Sequence, residues 1–219
     1  MTLTHQLYEA AAPVWRQSLA HPFVRSLGDG SLPLENFRFY MRQDYVFLIE
    51  YSRVVALAVA KAPDLDTMAR FATLLDATLN QEMALHREFA AECGITAEEL
   101  AATEAAPTTR AYTSHLVRVA SLGGLAETMT ALLPCQWGYT EIGQTLARRG
   151  KPADAPFYAK WIEMYASEEF ASLAVWLRAL LDGYAGKTDP ERLVEIFCRS
   201  ARYEYLFWDM AYRLEEWPV

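Results

Sequence analysis

Apolar residues recur at intervals of three and four along most of the chain, and this spacing constrains the fold more than any other feature of the sequence. Alternating runs of Val, Ile and Thr, which would indicate strands, are nearly absent, while Ala, Leu, Glu and Arg fill long windows. Because an α-helix has 3.6 residues per turn, this spacing places the apolar positions on one helix face. The sequence therefore predicts an all-α fold.

Clusters of turn-forming residues set the expected helix ends. They lie at 28–33, 62–64, 93–96, 105–109, 122–124, 149–156 and 182–190. The segments between them predict helices near 3–20, 34–61, 64–93, 107–121, 124–148, 155–182 and 188–215, with a short helix near 96–102. No linker is long or biased enough to separate two domains. We therefore expect one domain over residues 1–219, built as a bundle of seven to eight helices.

Composition and charge limit the partners of the chain. The 219 residues carry a net charge of −8, and their Lys and Arg residues are scattered. Nucleic acids and anionic membranes are bound by clustered positive charge, so neither is an expected partner. The longest apolar run, residues 54–60, is far shorter than the roughly 20 residues of a membrane span. The first 20 residues contain charges that a secretory signal would not tolerate.

The three cysteines, Cys93, Cys135 and Cys198, show no paired motif spacing. An odd number of unpaired cysteines favours neither a disulfide framework nor a thiolate zinc site. The reducing cytoplasm is therefore the expected location of the protein.

Polar side chains interrupt the apolar stripes of four predicted helices. In chain order, the stripes are Phe37, Met41, Asp44, Phe47, Tyr51, Val55 and Ala58; Leu75, Leu79, Glu82, His86 and Phe89; Leu125, Thr128, Leu132, Cys135, Tyr139, Ile142 and Leu146; and Leu193, Phe197, Ser200, Glu204, Trp208 and Ala211. The interrupting residues are Asp44 in the helix near 34–61, Glu82 and His86 in the helix near 64–93, Cys135 and then Tyr139 in the helix near 124–148, and Glu204 in the helix near 188–215. A buried carboxylate without a partner costs several kcal/mol or becomes protonated, so each acid needs a partner, a water molecule or a ligand. Four helices that each direct polar groups and rings inward predict a pocket for a small polar aromatic ligand.

Each of these residues also has a purely structural interpretation. An inward acid can pair with Arg, Tyr or a backbone amide, and a free cysteine is more often a small core residue than a nucleophile. Pro134 removes a backbone hydrogen bond beside Cys135 and is expected to kink the helix there.

Seven segments in order along the chain closely resemble the TenA family. They are HPFVRSLGDGSLP (21–33), RQDYVFL (42–48), EMALHREFA (82–90), YTSHL (112–116), LLPCQWGYTEIG (132–143), WIEMYASEEF (161–170) and YEYLFWDMAYRLEEW (203–217). The resemblance spans nearly the whole chain. It implies a heme-oxygenase-like helical fold and a thiaminase II type aminopyrimidine hydrolase of the branch that uses a cysteine nucleophile.

The resemblance also implies roles for individual residues. Cys135 would add to the electron-poor pyrimidine carbon. Asp44 would hold the ring nitrogen and the exocyclic amine, and Glu204 would be the acid/base group. The other substrate-binding residues that it implies are Phe47, Tyr112, Tyr139 and Tyr165.

Two positions depart from the family pattern. Phe47 stands where the family commonly has Tyr, so it keeps a stacking face and lacks a hydroxyl. Gln136 follows the cysteine where an aromatic residue is frequent, and the sequence assigns it no role.

Glu82 and His86 also have the spacing with which carboxylate–histidine metal sites begin, and related helical proteins include di-iron oxidases. No second pair of this kind is present among the four His residues. The sequence therefore favours structural hydrogen bonding for both residues, with no metal and no cofactor.

The leading hypothesis is an aminopyrimidine aminohydrolase that converts 4-amino-5-aminomethyl-2-methylpyrimidine to the hydroxymethyl compound and can cleave thiamine by the same chemistry. The alternatives are a metal-dependent oxidase of the same fold, a non-catalytic regulator that binds a thiamine precursor, and a bundle whose inward polar groups pair with one another. The expected partner is a small aminopyrimidine or thiamine, and the resemblance implies a homotetramer.

Overall fold

A computed structural model describes residues 1–219, and every regular element in it is a helix. The helices are α1 Leu3–Leu19, α2 Pro22–Asp29, α3 Leu34–Lys61, α4 Leu65–Asp76, α5 Met83–Glu92, α6 Ala97–Ala101, α7 Pro107–Leu122, α8 Leu125–Arg149, α9 Pro156–Ala166, α10 Glu168–Asp182 and α11 Pro190–Arg213. A π-helical turn, Ala77–Glu82, joins α4 directly to α5. The predicted all-α fold is confirmed. Counted with α4, the π turn and α5 as one helix, the ten helices slightly exceed the seven to eight predicted.

The two additional helices follow from capping chemistry. The His21 ring accepts a hydrogen bond from the Phe23 N–H at 3.1 Å and starts α2, which ends at Gly30 with φ +85°. The helix predicted over 155–182 is divided at Ser167, whose extended backbone ends α9 and whose hydroxyl caps α10. Local hydrogen bonds of this kind end a helix even where the apolar period continues.

The stripes predicted on α3 and α11 are buried throughout. The α3 stripe is Phe37, Met41, Asp44, Phe47, Tyr51, Val55 and Ala58, and the α11 stripe is Leu193, Phe197, Ser200, Glu204, Trp208 and Ala211. The predicted stripe of the 64–93 helix is wrong at Leu79, which is 49% exposed. Leu79 lies in the π turn, where the wider turn shifts the side chains away from the α-helical period.

Buried side chains from Leu3 to Ala211 form one contiguous hydrophobic cluster. The long helices α3, α8 and α11 supply much of it, and α8 continues as a helix through Pro134. None of the helices combines the length and the hydropathy that crossing a bilayer would require. The fold thus surrounds the polar residues of α3, α8 and α11 with packed helices.

Candidate active site

A small cavity of about 20 Å³ lies between α3, α8, the π turn and the ends of α9 and α10. Its lining residues are Asp44, Phe47, Leu48, Tyr51, Glu82, Cys135, Gln136, Tyr139, Tyr165 and Phe170. We call it the inner cavity. A space of this size holds about one water molecule, so a pyrimidine ring enters it only when surrounding side chains move.

Cys135 contributes the one thiol to the inner cavity. It projects from α8 one residue after Pro134, and it is half-buried because part of its surface faces the cavity. Burial raises the pKa of the thiol well above its usual range, and the negative charges of Glu204, Asp44 and Glu82 raise it further. The thiol is therefore protonated at neutral pH, and its attack on a ring requires a base.

Glu204 of α11 lies behind the inner cavity and accepts a hydrogen bond from the Tyr112 hydroxyl of α7. Burial raises the pKa of the carboxyl to about 7, although the bond to Tyr112 opposes the shift. The Tyr112 ring packs against the ring of Phe47, which lines the cavity, and their centroids are 5.1 Å apart. Glu204 can thus accept or release a proton near neutral pH.

Asp44 and His86 form a buried contact at the edge of the inner cavity. The Nε2–H of His86 donates to the Met41 carbonyl oxygen at 2.8 Å, because a carbonyl oxygen can only accept. The other ring nitrogen, Nδ1, faces Oδ2 of Asp44 at 3.5 Å. Burial, followed by the charges of Glu82 and Glu204, raises the pKa of Asp44 well above its usual range. Burial lowers the pKa of His86 to about 4, so the imidazole is neutral near pH 7.

Glu82 and Gln136 form a second polar edge of the inner cavity. Glu82 ends the π turn, and burial raises its pKa to about 7 while hydrogen bonding to Thr78 lowers it. Gln136 is buried and donates from Nε2 to the Tyr51 hydroxyl at 2.8 Å. Its Oε1 is buried and has no hydrogen-bond partner.

Aromatic rings form the wall of the cavity on the α8 and α9 side. The rings of Tyr139 and Tyr165 lie 4.8 Å apart, and the Tyr139 hydroxyl is 3.4 Å from that of Tyr40. Gly143 lets the backbone of α9 approach α8 here, because a Cβ at this position would lie 2.5 Å from the carbonyl carbon of Tyr165. The glycine one turn after Tyr139 therefore fixes how closely Tyr165 is held to the cavity.

A wider cleft of about 400 Å³ adjoins the inner cavity. It shares Asp44, Glu82 and Tyr165 with the inner cavity and adds His86, Trp161 and the exposed ends of α9 and α10. Its volume lies in the range that small-molecule sites occupy. We call it the outer cleft.

The structure brings five of the predicted site residues, Asp44, Phe47, Cys135, Tyr139 and Tyr165, into one cavity. The other two, Glu204 and Tyr112, bond to each other behind Phe47. The sequence assigned Gln136 no role and favoured structural hydrogen bonding for Glu82, whereas both side chains line the inner cavity. Gln136 directly follows Cys135, and Glu82 is a polar interruption of an apolar stripe, so both signals were present in the sequence.

A metal centre was the alternative function of Glu82 and His86. No three His, Cys, Asp or Glu side chains are grouped in a way that could hold a metal ion. Both ring nitrogens of His86 are engaged, one with Met41 and one against Asp44.

The sequence pattern described as the TENA/THI-4/PQQC family matches residues 8–214. The chain belongs to this family. A protein of Halalkalibacterium halodurans named aminopyrimidine aminohydrolase is 48% identical over 220 residues, which cover 99% of this chain and 98% of that protein.

Solved structures give the same relationship. The fold superimposes with a TM-score of 0.92 on a TenA homologue from P. horikoshii, which is 32% identical, over 97% of this chain and 99% of that one. A Shewanella denitrificans domain with a heme oxygenase-like fold gives a TM-score of 0.73 at 15% identity, over 96% of this chain and 92% of that one. The resemblance to TenA proteins and the heme-oxygenase-like fold are thereby confirmed.

Proposed function

We propose that the chain is an aminopyrimidine aminohydrolase, a hydrolase of C–N bonds that converts 4-amino-5-aminomethyl-2-methylpyrimidine and water to the hydroxymethyl compound and ammonium, and that also cleaves thiamine. The observation that carries the proposal is the thiol of Cys135 in a cavity beside Asp44, with the Glu204 carboxyl close behind. The relative with that name, which aligns over nearly its full length, supports the reaction. The expected setting is thiamine salvage in the cytoplasm.

The proposed reaction begins when the pyrimidine passes from the outer cleft into the inner cavity as Tyr165 and its neighbours move. Asp44 accepts from the exocyclic amine and holds the ring nitrogen, and the raised pKa of its carboxyl favours sharing a proton with that nitrogen. Phe47 and Tyr139 present ring faces to the heterocycle. The bound ring thus lies against the thiol, with its nitrogen held by Asp44.

Glu204 then acts as the base. It removes the proton of the Cys135 thiol as sulfur bonds to the electron-poor ring carbon, and the ring electrons move toward the nitrogen held by Asp44. These electrons return to expel the amine from the methylene carbon. Water adds to that carbon and gives its second proton to the released ammonia, or to solvent when thiazole is the leaving group. Glu204 returns the thiol proton to the departing sulfur as the C–S bond breaks. A carboxyl with a pKa of about 7 suits both directions of transfer.

The test is to replace Cys135 with Ser and to measure product formation from the aminomethylpyrimidine and from thiamine. Turnover of both should fall roughly 10³-fold or more, because the hydroxyl is a much weaker nucleophile than the thiol. Cys198→Ser is the matched control, because Cys198 lies on α11 outside the cavity, and it should retain full turnover. Undiminished turnover by Cys135→Ser would exclude the thiol mechanism. Tight ligand binding by the unaltered protein without any product would favour the regulator instead.

The assembly is proposed to be a homotetramer. Apolar side chains remain exposed on several helices, among them Leu65, Leu122 and Val175, which are 77%, 72% and 62% exposed. Light scattering of the purified protein measures the state directly, and a monomer would contradict the proposal.

A further inference from the structure

Glu82 and Gln136 lie together where the inner cavity meets the surface on the α10 side. Glu82, Gln136, Tyr165 and Phe170 line both the inner cavity and a second, more open cleft of about 240 Å³. A group attached to a ring beside Cys135 and pointing toward this opening therefore passes these four side chains. We call them the exit edge.

Two acceptors at the exit edge have no cation to bind. Glu82 takes part in no ion pair, and no basic group contributes to its pKa. Gln136 is only 5% exposed, and its Oε1 is buried without a hydrogen-bond donor. A buried acceptor without a partner is costly, so its retention in a cavity indicates a donor supplied by a ligand.

The rings of the exit edge add to this preference. Tyr165 and Phe170 meet edge to face, with centroids 4.9 Å apart. Ring faces attract cations, and the attraction is strongest where water is excluded. A carboxylate, an amide oxygen and two rings around one opening form a site that favours positive charge.

The two substrates of the proposed reaction share such a charge and the product lacks it. The aminomethyl group is an alkylamine that is largely protonated near neutral pH, and the thiazolium of thiamine is permanently cationic. The hydroxymethyl group of the product is neutral.

We propose that the exit edge is a cation subsite, in which Glu82 and Oε1 of Gln136 bind the positively charged leaving group on the pyrimidine methylene. This inference deepens the proposed function and rests on it. The subsite releases the neutral product more readily than it releases either substrate.

Bond cleavage agrees with this assignment. An ammonium leaves the methylene carbon as neutral ammonia by taking the C–N bonding electrons, and a thiazolium leaves as the neutral thiazole. Neither departure consumes a proton. Glu82 therefore needs only to attract the cation, and ammonia is protonated after release.

The experiment measures the binding of charged and neutral ligands by calorimetry at pH 7.5, in a Cys135→Ser background that prevents turnover. The probes are the aminomethylpyrimidine, thiamine and the neutral hydroxymethylpyrimidine. Glu82→Gln should weaken binding of the two cations about 10- to 100-fold and change binding of the neutral ligand less than about twofold. Gln136→Met keeps the side-chain volume and should weaken binding of the two cations about three- to tenfold.

Glu169→Gln is the matched control. Glu169 lines the outer cleft and the open α10-side cleft but not the inner cavity, so it tests the same change of charge at a greater distance. Glu169→Gln should change the binding of each ligand less than about twofold, because solvent and salt screen an exposed charge. An equal effect of Glu169→Gln, or equal weakening of cations and neutral ligand by Glu82→Gln, would overturn the subsite.

The outcome for the proposed function is separate. If the Cys135→Ser protein binds the hydroxymethylpyrimidine as tightly as it binds the two cationic ligands, only the subsite is overturned. If none of the three ligands binds and the unaltered protein forms no product, the proposed function fails together with the subsite.

Discussion

Two histidine–aspartate contacts of nearly equal length lie in different regions of the molecule. Nδ1 of His86 is 3.5 Å from Oδ2 of Asp44 at the cavity, and Nε2 of His21 is 3.6 Å from Oδ1 of Asp209 between α2 and α11. Asp209 also forms an ion pair with Arg213, whose Nε lies 3.0 Å from Oδ1, and is partly exposed. Asp44 is buried, has no cation beside it, and lies near the acidic Glu82 and Glu204. The aspartate of one contact is partly exposed and paired with an arginine, whereas the aspartate of the other has no cation until a ligand binds.

The same difference separates the carboxylates of the two regions. Outside the cavity, Asp182 accepts from the backbone and hydroxyl of Thr4, and Glu141 accepts from the Trp15 ring. Around the cavity, burial raises the pKa values of Asp44, Glu82 and Glu204. The fold therefore gains stability from its peripheral acids and loses stability to the acids of the cavity, which is the usual sign of a functional site.

The largest expected effect that tests this difference is on turnover. Glu204→Gln keeps an acceptor for the Tyr112 hydroxyl but removes the base, so kcat/KM should fall about 10²- to 10⁴-fold. In the unaltered enzyme, kcat/KM should rise as the pH increases through about 7, because the base must be ionised. A pH–rate profile of both proteins measures this, and retention of the rise near pH 7 in the variant would assign it to another group.

The same variant tests the cost to stability. The folded protein holds the Glu204 proton up to a pKa of about 7, whereas the unfolded chain loses it near 4.5, the ordinary pKa of a glutamate. A raised carboxyl pKa lowers stability as the pH rises between these values. Glu204→Gln should therefore be more stable than the unaltered protein at pH 8, by on the order of 1–3 kcal/mol. Urea unfolding at pH 8 and pH 4.5 checks this, because the difference should nearly vanish at the lower pH.

The opposite sign is expected for a peripheral acid. Asp182 accepts two hydrogen bonds from Thr4, at 2.7 Å and 3.0 Å, and so joins α10 to the start of α1. Asp182→Ala should destabilise the protein by about 1.5–3 kcal/mol while leaving kcat/KM within about twofold at a temperature where the variant is folded. Thermal unfolding and turnover are measured together, and a loss of activity comparable to that of Glu204→Gln would erase the distinction between the regions.

The sequence predicted much of this arrangement and missed an informative part of it. The stripes of α3 and α11 follow the helical period without interruption, so Asp44 and Glu204 were correctly placed inward. The α-helical period does not indicate the π turn before α5, so the predicted stripe includes Leu79, which the structure exposes. Gln136 was left without a role, because its neighbours across the cavity come from α3 and the π turn.

The smallest predicted effect compares the two histidines directly. His86→Gln can keep the bond to the Met41 carbonyl while removing the nitrogen that faces Asp44, so it should raise KM for the pyrimidine about tenfold with little change in kcat. His21→Asn removes the corresponding contact to Asp209 and keeps a side chain able to cap α2. It should lower the melting temperature without changing KM. Both variants remove a buried imidazole beside an aspartate, so each is a control for the other. A shift of KM confined to His86→Gln would mean that His86 orients Asp44 toward the ligand. Equal shifts of KM would mean that both histidines contribute only to packing.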